Sequence, residues 1–189
     1  MMRFSTLMKH PADWMTGADT DSAIVLTSRI RLARNIKDAP FPGWARKAER
    51  IKILPELRDK VETLSEMKDA FSHQLSELSS VQKQVLVERH LISREQAARS
   101  EGSAIVVNRN QTLSIMINEE DHLRLQSIRS GLHLREAYQL IANIDKDLEQ
   151  SLPFAFDHEL GYLTACPTNV GTGLRASAML HLPGLVISD

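Results

Sequence analysis

With 189 residues, of which 42% are hydrophobic and 25% charged, the chain has material for one packed domain and is neither disordered nor collagen-like. A formal net charge of −1 argues against a dedicated nucleic-acid or membrane-surface binder, which carries a strong basic excess. A single cysteine, Cys166, excludes an internal disulfide framework and points to a reducing compartment.

Residues 1–20 are polar and mixed, with a short helix predicted around Trp14 and a turn at Gly17. They lack the apolar stretch of a signal peptide, and no later run approaches the ~20 apolar residues that span a bilayer, so the chain reads as cytoplasmic. Residues 22–30 form the first predicted strand, with Ile24, Val25 and Leu26 as its buried part. Pro40, Pro42 and Gly43 mark a loop. Across 46–78 the three- and four-residue spacing of Ile51, Leu54, Leu57, Val61 and Leu64 predicts helix, which Pro55 either kinks or restarts. Ser80 is read as the cap of a further helix through Glu88, with Val81, Val85 and Leu86 inward.

Residues 103–108 and 112–117 are short β-rich runs around a polar stretch, a hairpin pattern. Asn118 is then read as the N-cap of a helix whose first turn carries Glu119, Glu120 and Asp121, with Arg124 following on the same helix. From 133 to 150, Leu134, Ala137, Leu140, Ile141, Ile144 and Leu148 make one helical stripe. Residues 162–165 and 174–182 are strand-like, joined by the loop 166–173. Helices and hairpins in blocks predict an α+β fold with a largely antiparallel β-sheet flanked by helices.

Three constellations carry possible chemistry. The 23 basic residues divide into 15 Arg and 8 Lys, and Arg29 and Arg31 stand two apart on a predicted strand, so both guanidinium groups share a face. Two such cations repel unless an anion lies between them, and a polyphosphate supplies one through bidentate hydrogen bonds; the plainer alternative is a solvated, charged edge strand. The acidic run 119–121 complements a helix dipole, and it also suits a cationic substrate group such as a guanidinium. That group must lose a proton to attack phosphorus, so a positioned carboxylate is needed to align it and accept the proton. The run 166–177 holds Gly171 and Gly173 but makes neither a Walker A loop nor a dinucleotide fingerprint, and no histidine neighbours Cys166. The seven histidines, His90 among them, show no metal-ligand spacing, so no protein-held metal is expected.

Together these segments resemble the ATP:guanido phosphotransferase family, the phosphagen kinases and their bacterial relatives. The run 166–177 is similar to that family's signature, 118–124 to its acidic substrate motif, and 27–31 to its first phosphate-binding strand. Within the family the resemblance is to the bacterial branch acting on arginine in proteins, from about Trp14 to Pro183, supported by 87–93, 115–122 and 154–179 and least by 46–79. The resemblance implies ATP with Mg2+. It implies that Arg29, Arg31, Arg124 and Arg175 surround the phosphates and that Thr27, Ser28 and Ile30 line the same strand. His90 would lie near the nucleotide, and Ala176, Ser177, Ala178 and Met179 would continue the site. Glu120 matches the catalytic base, Glu119 its supporting neighbour, and Cys166 a thiol that tunes the site without a covalent intermediate. Residues 1–22 would be an N-terminal segment and 23–189 the N-terminal part of the catalytic domain, family members continuing beyond Asp189. The short stretch before the first strand suits a more open site, and hence arginine displayed on a protein. The implied partners are such protein substrates, an activator protein, a heat-shock repressor and a Clp protease system, with no membrane and no direct nucleic acid. A catalytically silent nucleotide-binding fragment and an interaction module that keeps only the fold are the alternatives.

Overall fold

In the computed structural model, which describes residues 2–16, 24–99 and 101–188, the chain runs α1 (Phe4–Met8), β1 (Val25–Arg34), α2 (Lys47–Glu62), β2 (Phe71–Gln74), α3 (Ser80–Glu88), α4 (Arg94–Ala98), β3 (Ala104–Val107), β4 (Leu113–Ile117) and β5 (Leu123–Ser130). It continues through α5 (Leu134–Glu149), β6 (Phe156–Asp157), β7 (Gly161–Tyr162), β8 (Leu174–Leu180) and α6 (Pro183–Ser188), with short 3₁₀ turns between, one of them Asp13–Met15. Six strands form one sheet in the order β2-β3-β4-β5-β1-β8, antiparallel at every pairing; β6 and β7 make a separate small hairpin. The α+β architecture follows the predicted one.

Alternation along the strands sends one set of side chains to each face. On one face, Ile30 and Leu32 of β1 join Ile115, Ile117, Leu123 and Leu125 against α2 and α5. The α5 stripe supplies Ala137, Ile141, Ile144 and Leu148, all buried, as its spacing predicts. Fully burying each Leu or Ile contributes about 1.5–3 kcal/mol. The opposite face has an apolar cover at the β2–β4 end, where Leu7, Leu75, Leu86, Leu91 and Ile92 pack on Phe71, Ile105, Val107 and Met116. Over β5, β1 and β8 that face carries charge.

Several elements differ from their sequence patterns for identifiable reasons. The buried part of β1 lies further along than expected: Ile24 and Leu26 are exposed, while Thr27, Ser28, Ile30, Leu32, Ala33 and Arg34 are buried between two partner strands. The helix predicted over 46–78 ends at Glu62, and Phe71–Gln74 becomes the edge strand β2 against β3. Pro55 lies within α2 without ending it, on an exposed flank where its missing N–H is least costly. Ser79, not Ser80, caps α3, accepting from the Gln82 N–H, and Val81 faces solvent. The helix expected from Asn118 does not form. Asn118 adopts a left-handed φ of 55° and bonds through its N–H to the His122 carbonyl, closing a hairpin turn between β4 and β5. Arg124 consequently sits on a strand. Residues 103–117 form the predicted hairpin, and 174–182 contributes β8 through Leu180. Of 162–165, only Tyr162 is in a strand. The expected turn at Gly17 and the strand start at Ser22 lie outside the described residues. No helix among the described residues is long and apolar enough to cross a membrane.

Candidate functional site

The register places four candidate arginines and Ser177 on one face. Arg31 of β1 lies opposite Gln126 of β5 on one side and Arg175 of β8 on the other. One step along, Ala33 pairs with Arg124, and Arg29 pairs with Ser177. Arg29, Arg31, Arg124 and Arg175 therefore converge over three adjacent strands. Arg29 Nε donates to Ser177 Oγ at 3.3 Å, and Arg31 Nε is buried with no hydrogen-bond partner among the described residues. Burial, then the charges of Arg29, Arg124 and Arg175, push the Arg31 guanidinium down to about 10; burial, Arg124 and Arg175 likewise lower Arg29. Burying like charges together is costly, and an anion lodged among them removes that cost.

The turn between β4 and β5 sets the acids beside this cluster. Glu119 is buried and holds Arg124, whose Nη1 lies 2.6 Å from both carboxylate oxygens. Ser93 Oγ donates to the same carboxylate at 2.5 Å, and Arg99 Nη1 donates to the Glu119 carbonyl at 2.5 Å. Glu120 points outward into a cavity of about 80 Å³ lined also by Arg31, Arg124, Cys166, Asn169 and Arg175. Burial, with Asp121 and Glu119 nearby, raises the Glu120 carboxyl above its ordinary value. Asp121 is buried and accepts from Asn35 Nδ2 at 2.5 Å and from the Ala165 N–H at 2.7 Å. It thus pins the segment that leads into Cys166. The Cys166 thiol is free and partly exposed, 3.0 Å from Thr168 Oγ1. Beyond the cysteine, Gly173 has φ +66°, and a Cβ there would sit 2.5 Å from the Ala33 carbonyl oxygen. Only glycine lets the loop meet β1 so closely.

A second cavity, of about 230 Å³, adjoins the arginines at the other end of β1 and is lined by Thr27, Arg29, His90, Ile128, Ser177, Ala178 and Met179, together with Trp14. Burial, then Arg29, lowers the His90 imidazole, and Gln126 Nε2 donates to the His90 carbonyl at 2.6 Å. Among the sequence-predicted residues, Ser28, Ile30, Ala176 and Ala178 alternate onto the other face. Ser28 Oγ donates to the Gly131 carbonyl at 2.6 Å and accepts from the His133 N–H, and Ile30 is in the core. Sequence reasoning missed Ser93, Arg99 and Gln126, whose contacts come from distant parts of the chain. Among the described residues no group of three or more His, Cys, Asp or Glu is placed to hold a metal ion. The chemistry this arrangement allows is the binding of a polyanion beside a carboxylate that can orient a cation.

Comparison with known proteins agrees with that geometry. A family model described as ATP:guanido phosphotransferase, C-terminal catalytic domain, matches residues 52–189; β1 precedes that range but pairs along its length with strands inside it. The chain is 46% identical over 179 residues to a protein-arginine kinase of Symbiobacterium thermophilum, covering 93% of this chain and 51% of that protein. It is 48% identical over 179 residues to one of Bacillus cereus, covering 93% and 50%. The chain thus spans about half the length of the curated relatives it matches. Among solved structures, the duplicated taurocyamine kinase of Schistosoma mansoni with bound transition state analog components superposes with a TM-score of 0.80 at 26% identity, covering 100% of this chain and 27% of that one. The chain belongs to the ATP:guanido phosphotransferase family.

Proposed function

We propose that the chain forms part of a protein-arginine kinase, transferring the γ-phosphoryl group of Mg-ATP to an arginine side chain displayed on a protein. The observation that supports this best is the juxtaposition of Arg31, Arg124 and Arg175 with Glu120 and Cys166 around one cavity, with Arg29 two residues before Arg31 on the same face of β1. Phosphoryl transfer needs mainly positioning and neutralisation of charge on the phosphate oxygens. Arg29, Arg31, Arg124 and Arg175 would hold the phosphates, and the mutual repulsion that lowers Arg29 and Arg31 is relieved by an anion of high charge. Mg2+ would arrive bound to the nucleotide and shield its phosphate oxygens. Glu120 would orient the guanidinium and take its proton as the N–P bond forms and the bond from γ-phosphorus to the bridging oxygen breaks, releasing ADP. A carboxyl raised above its ordinary value is better matched to that proton. Glu119 would act through Arg124, and Cys166 would lie beside the acceptor. Thr27, His90, Ser177 and Met179 would contact the nucleotide through their side chains. Ser28, Ile30, Ala176 and Ala178 would contribute through backbone. By likeness to the family, the proposed partners are an activator protein, a heat-shock repressor as substrate and a Clp protease that removes marked proteins, all in the cytoplasm.

Incubation with Mg-ATP and an arginine-bearing protein, followed by mass spectrometry, is expected to detect phosphoarginine. Glu120→Gln is expected to lower the rate by at least about a hundredfold while keeping ATP affinity. Equal rates for the two proteins would sink the base assignment. A second reading rests on β8, which carries Arg175 and is an edge strand of the described sheet. In it, the chain binds Mg-ATP but turns over only when more of the sheet is supplied. Binding of Mg-ATP without phosphoarginine would identify that case.

A further inference from the structure

Trp14 lies before the residues that the family model matches, on the 3₁₀ turn Asp13–Met15, yet its ring lines the same cavity as Thr27, Arg29, His90, Ser177 and Met179. We infer that Trp14 is the stacking wall for the nucleotide base, so that the N-terminal segment is part of the binding site. The inference rests on the nucleotide reading above and adds which end of the ligand lies where.

The segment is fastened in place. Arg89 Nη1 donates to the carbonyls of Leu7 at 3.2 Å and His10 at 3.0 Å and to Gln111 Oε1 at 2.6 Å. Gln111 Nε2 donates to the same two carbonyls, at 3.1 and 3.2 Å. The Asp13 N–H reaches the Asn110 carbonyl at 3.3 Å, and Leu7 and Ala12 are buried. Arg89 immediately precedes His90, so one turn of chain carries both this clamp and the second ring of the cavity. The two rings face each other obliquely, with centroids 5.3 Å apart and planes at 55°. The indole Nε1 is shielded from solvent and has no hydrogen-bond partner among the described residues, and the ring lines the cavity. With Ile128 and Met179 this makes an apolar, partly aromatic slot.

The slot and the cationic cluster are two ends of one path. Thr27 and Met179 are register partners at the slot, and Arg31 and Arg175 are partners four residues along β1. At a strand rise of ~3.4 Å per residue these pairs are roughly 13 Å apart, a spacing suited to a ligand with a flat apolar end and a polyanionic end. A nucleoside triphosphate has that form; inorganic polyphosphate lacks the apolar end.

Titration calorimetry on the full chain with Mg-ATP and with magnesium tripolyphosphate tests the inference. Trp14→Ala is expected to weaken ATP about tenfold and leave tripolyphosphate unchanged, with Trp14→Phe restoring most of the loss. Unchanged ATP affinity, or equal weakening of both ligands, overturns it, since the second result is what a disturbed fold produces. A parent chain that binds neither ligand would refute the nucleotide reading itself; one that binds both equally would leave the phosphate site standing and remove the base slot. In a Trp44→Phe background Trp14 is the remaining indole, its emission expected to be quenched by Mg-ATP. Emission unmoved at saturating ATP counts against the stacking wall.

Discussion

Arg31 and Arg34 stand three residues apart on β1 and face opposite sides of the sheet. Arg34 is buried and fully partnered: Nε and Nη2 bind the two oxygens of Asp145 at 2.8 and 2.6 Å, and Nη1 donates to the carbonyls of Ala33 and Thr172. Its guanidinium also lies 3.5 Å from the Tyr162 ring centroid. Arg31 has no ion pair among the described residues and is ringed by three other arginines. One arginine is an internal fastening between β1, α5 and the loop before β8. The other stands among like charges, an environment that suits a bound anion. The same residue type on the same strand is thus paired on one face and, under the proposed function, left to bind a ligand on the other, and the surroundings alone decide which.

The largest separation between the two faces is expected from Arg34→Ala. Removing one partner of a buried ion pair leaves Asp145 uncompensated, a loss of about 3–5 kcal/mol. Urea unfolding should show it as a lower midpoint. A loss below about 1 kcal/mol would remove the distinction drawn here. A somewhat smaller effect is expected from pH at His122, which lies where the acidic turn enters β5. Its Nδ1 lies 3.2 Å from the Ile36 N–H and 3.0 Å from Asn35 Oδ1, and burial pushes its pKa down from 6.5 to about 4. The unfolded chain takes up the proton first. The stability from neutral His122 is therefore complete above pH 6.5 and is lost as pH falls toward 4, by roughly 3 kcal/mol at most. The stability difference between the parent and His122→Gln should shrink as pH falls from 7.5 to 5. A difference that grows would reverse the sign of the argument.

Much of this division was legible in the residues themselves. The period of α5 names its apolar face, and the β-rich runs 104–107 and 113–117 around a polar stretch announce a hairpin, though both strands are buried on both faces. The spacing of Arg29 and Arg31 likewise places both on one face. The segment 118–124 misled because a cap residue followed by acids looks alike in a helix start and in a tight turn. The deciding facts are the pairing of Ile117 with Leu123 and the left-handed Asn118, both products of sheet formation. β2 is four residues long and depends on β3, so no local period announces it. The positions of Trp14, Ser93 and Arg99 depend on contacts across the chain, as does the fastening of Arg34 to Asp145.

Arg31→Ala provides the smallest change in stability and the sharpest test of what the open face is for. In the unliganded chain the substitution removes a half-buried charge that Arg29, Arg124 and Arg175 oppose, so the unfolding midpoint should stay level or rise, within about 1 kcal/mol. The response to ligand should change in the opposite sense. A ligand present at a hundred times its Kd stabilises a protein by about 2.7 kcal/mol, and the parent should gain that from magnesium tripolyphosphate. At the same concentration the variant, having lost a charge-assisted contact of about 1.5–3 kcal/mol, should gain much less. Equal gains would mean that Arg31 holds no phosphate. A marked loss of stability without ligand would mean that it is a fastening like Arg34, and the contrast between the two faces would then fail at its central residue.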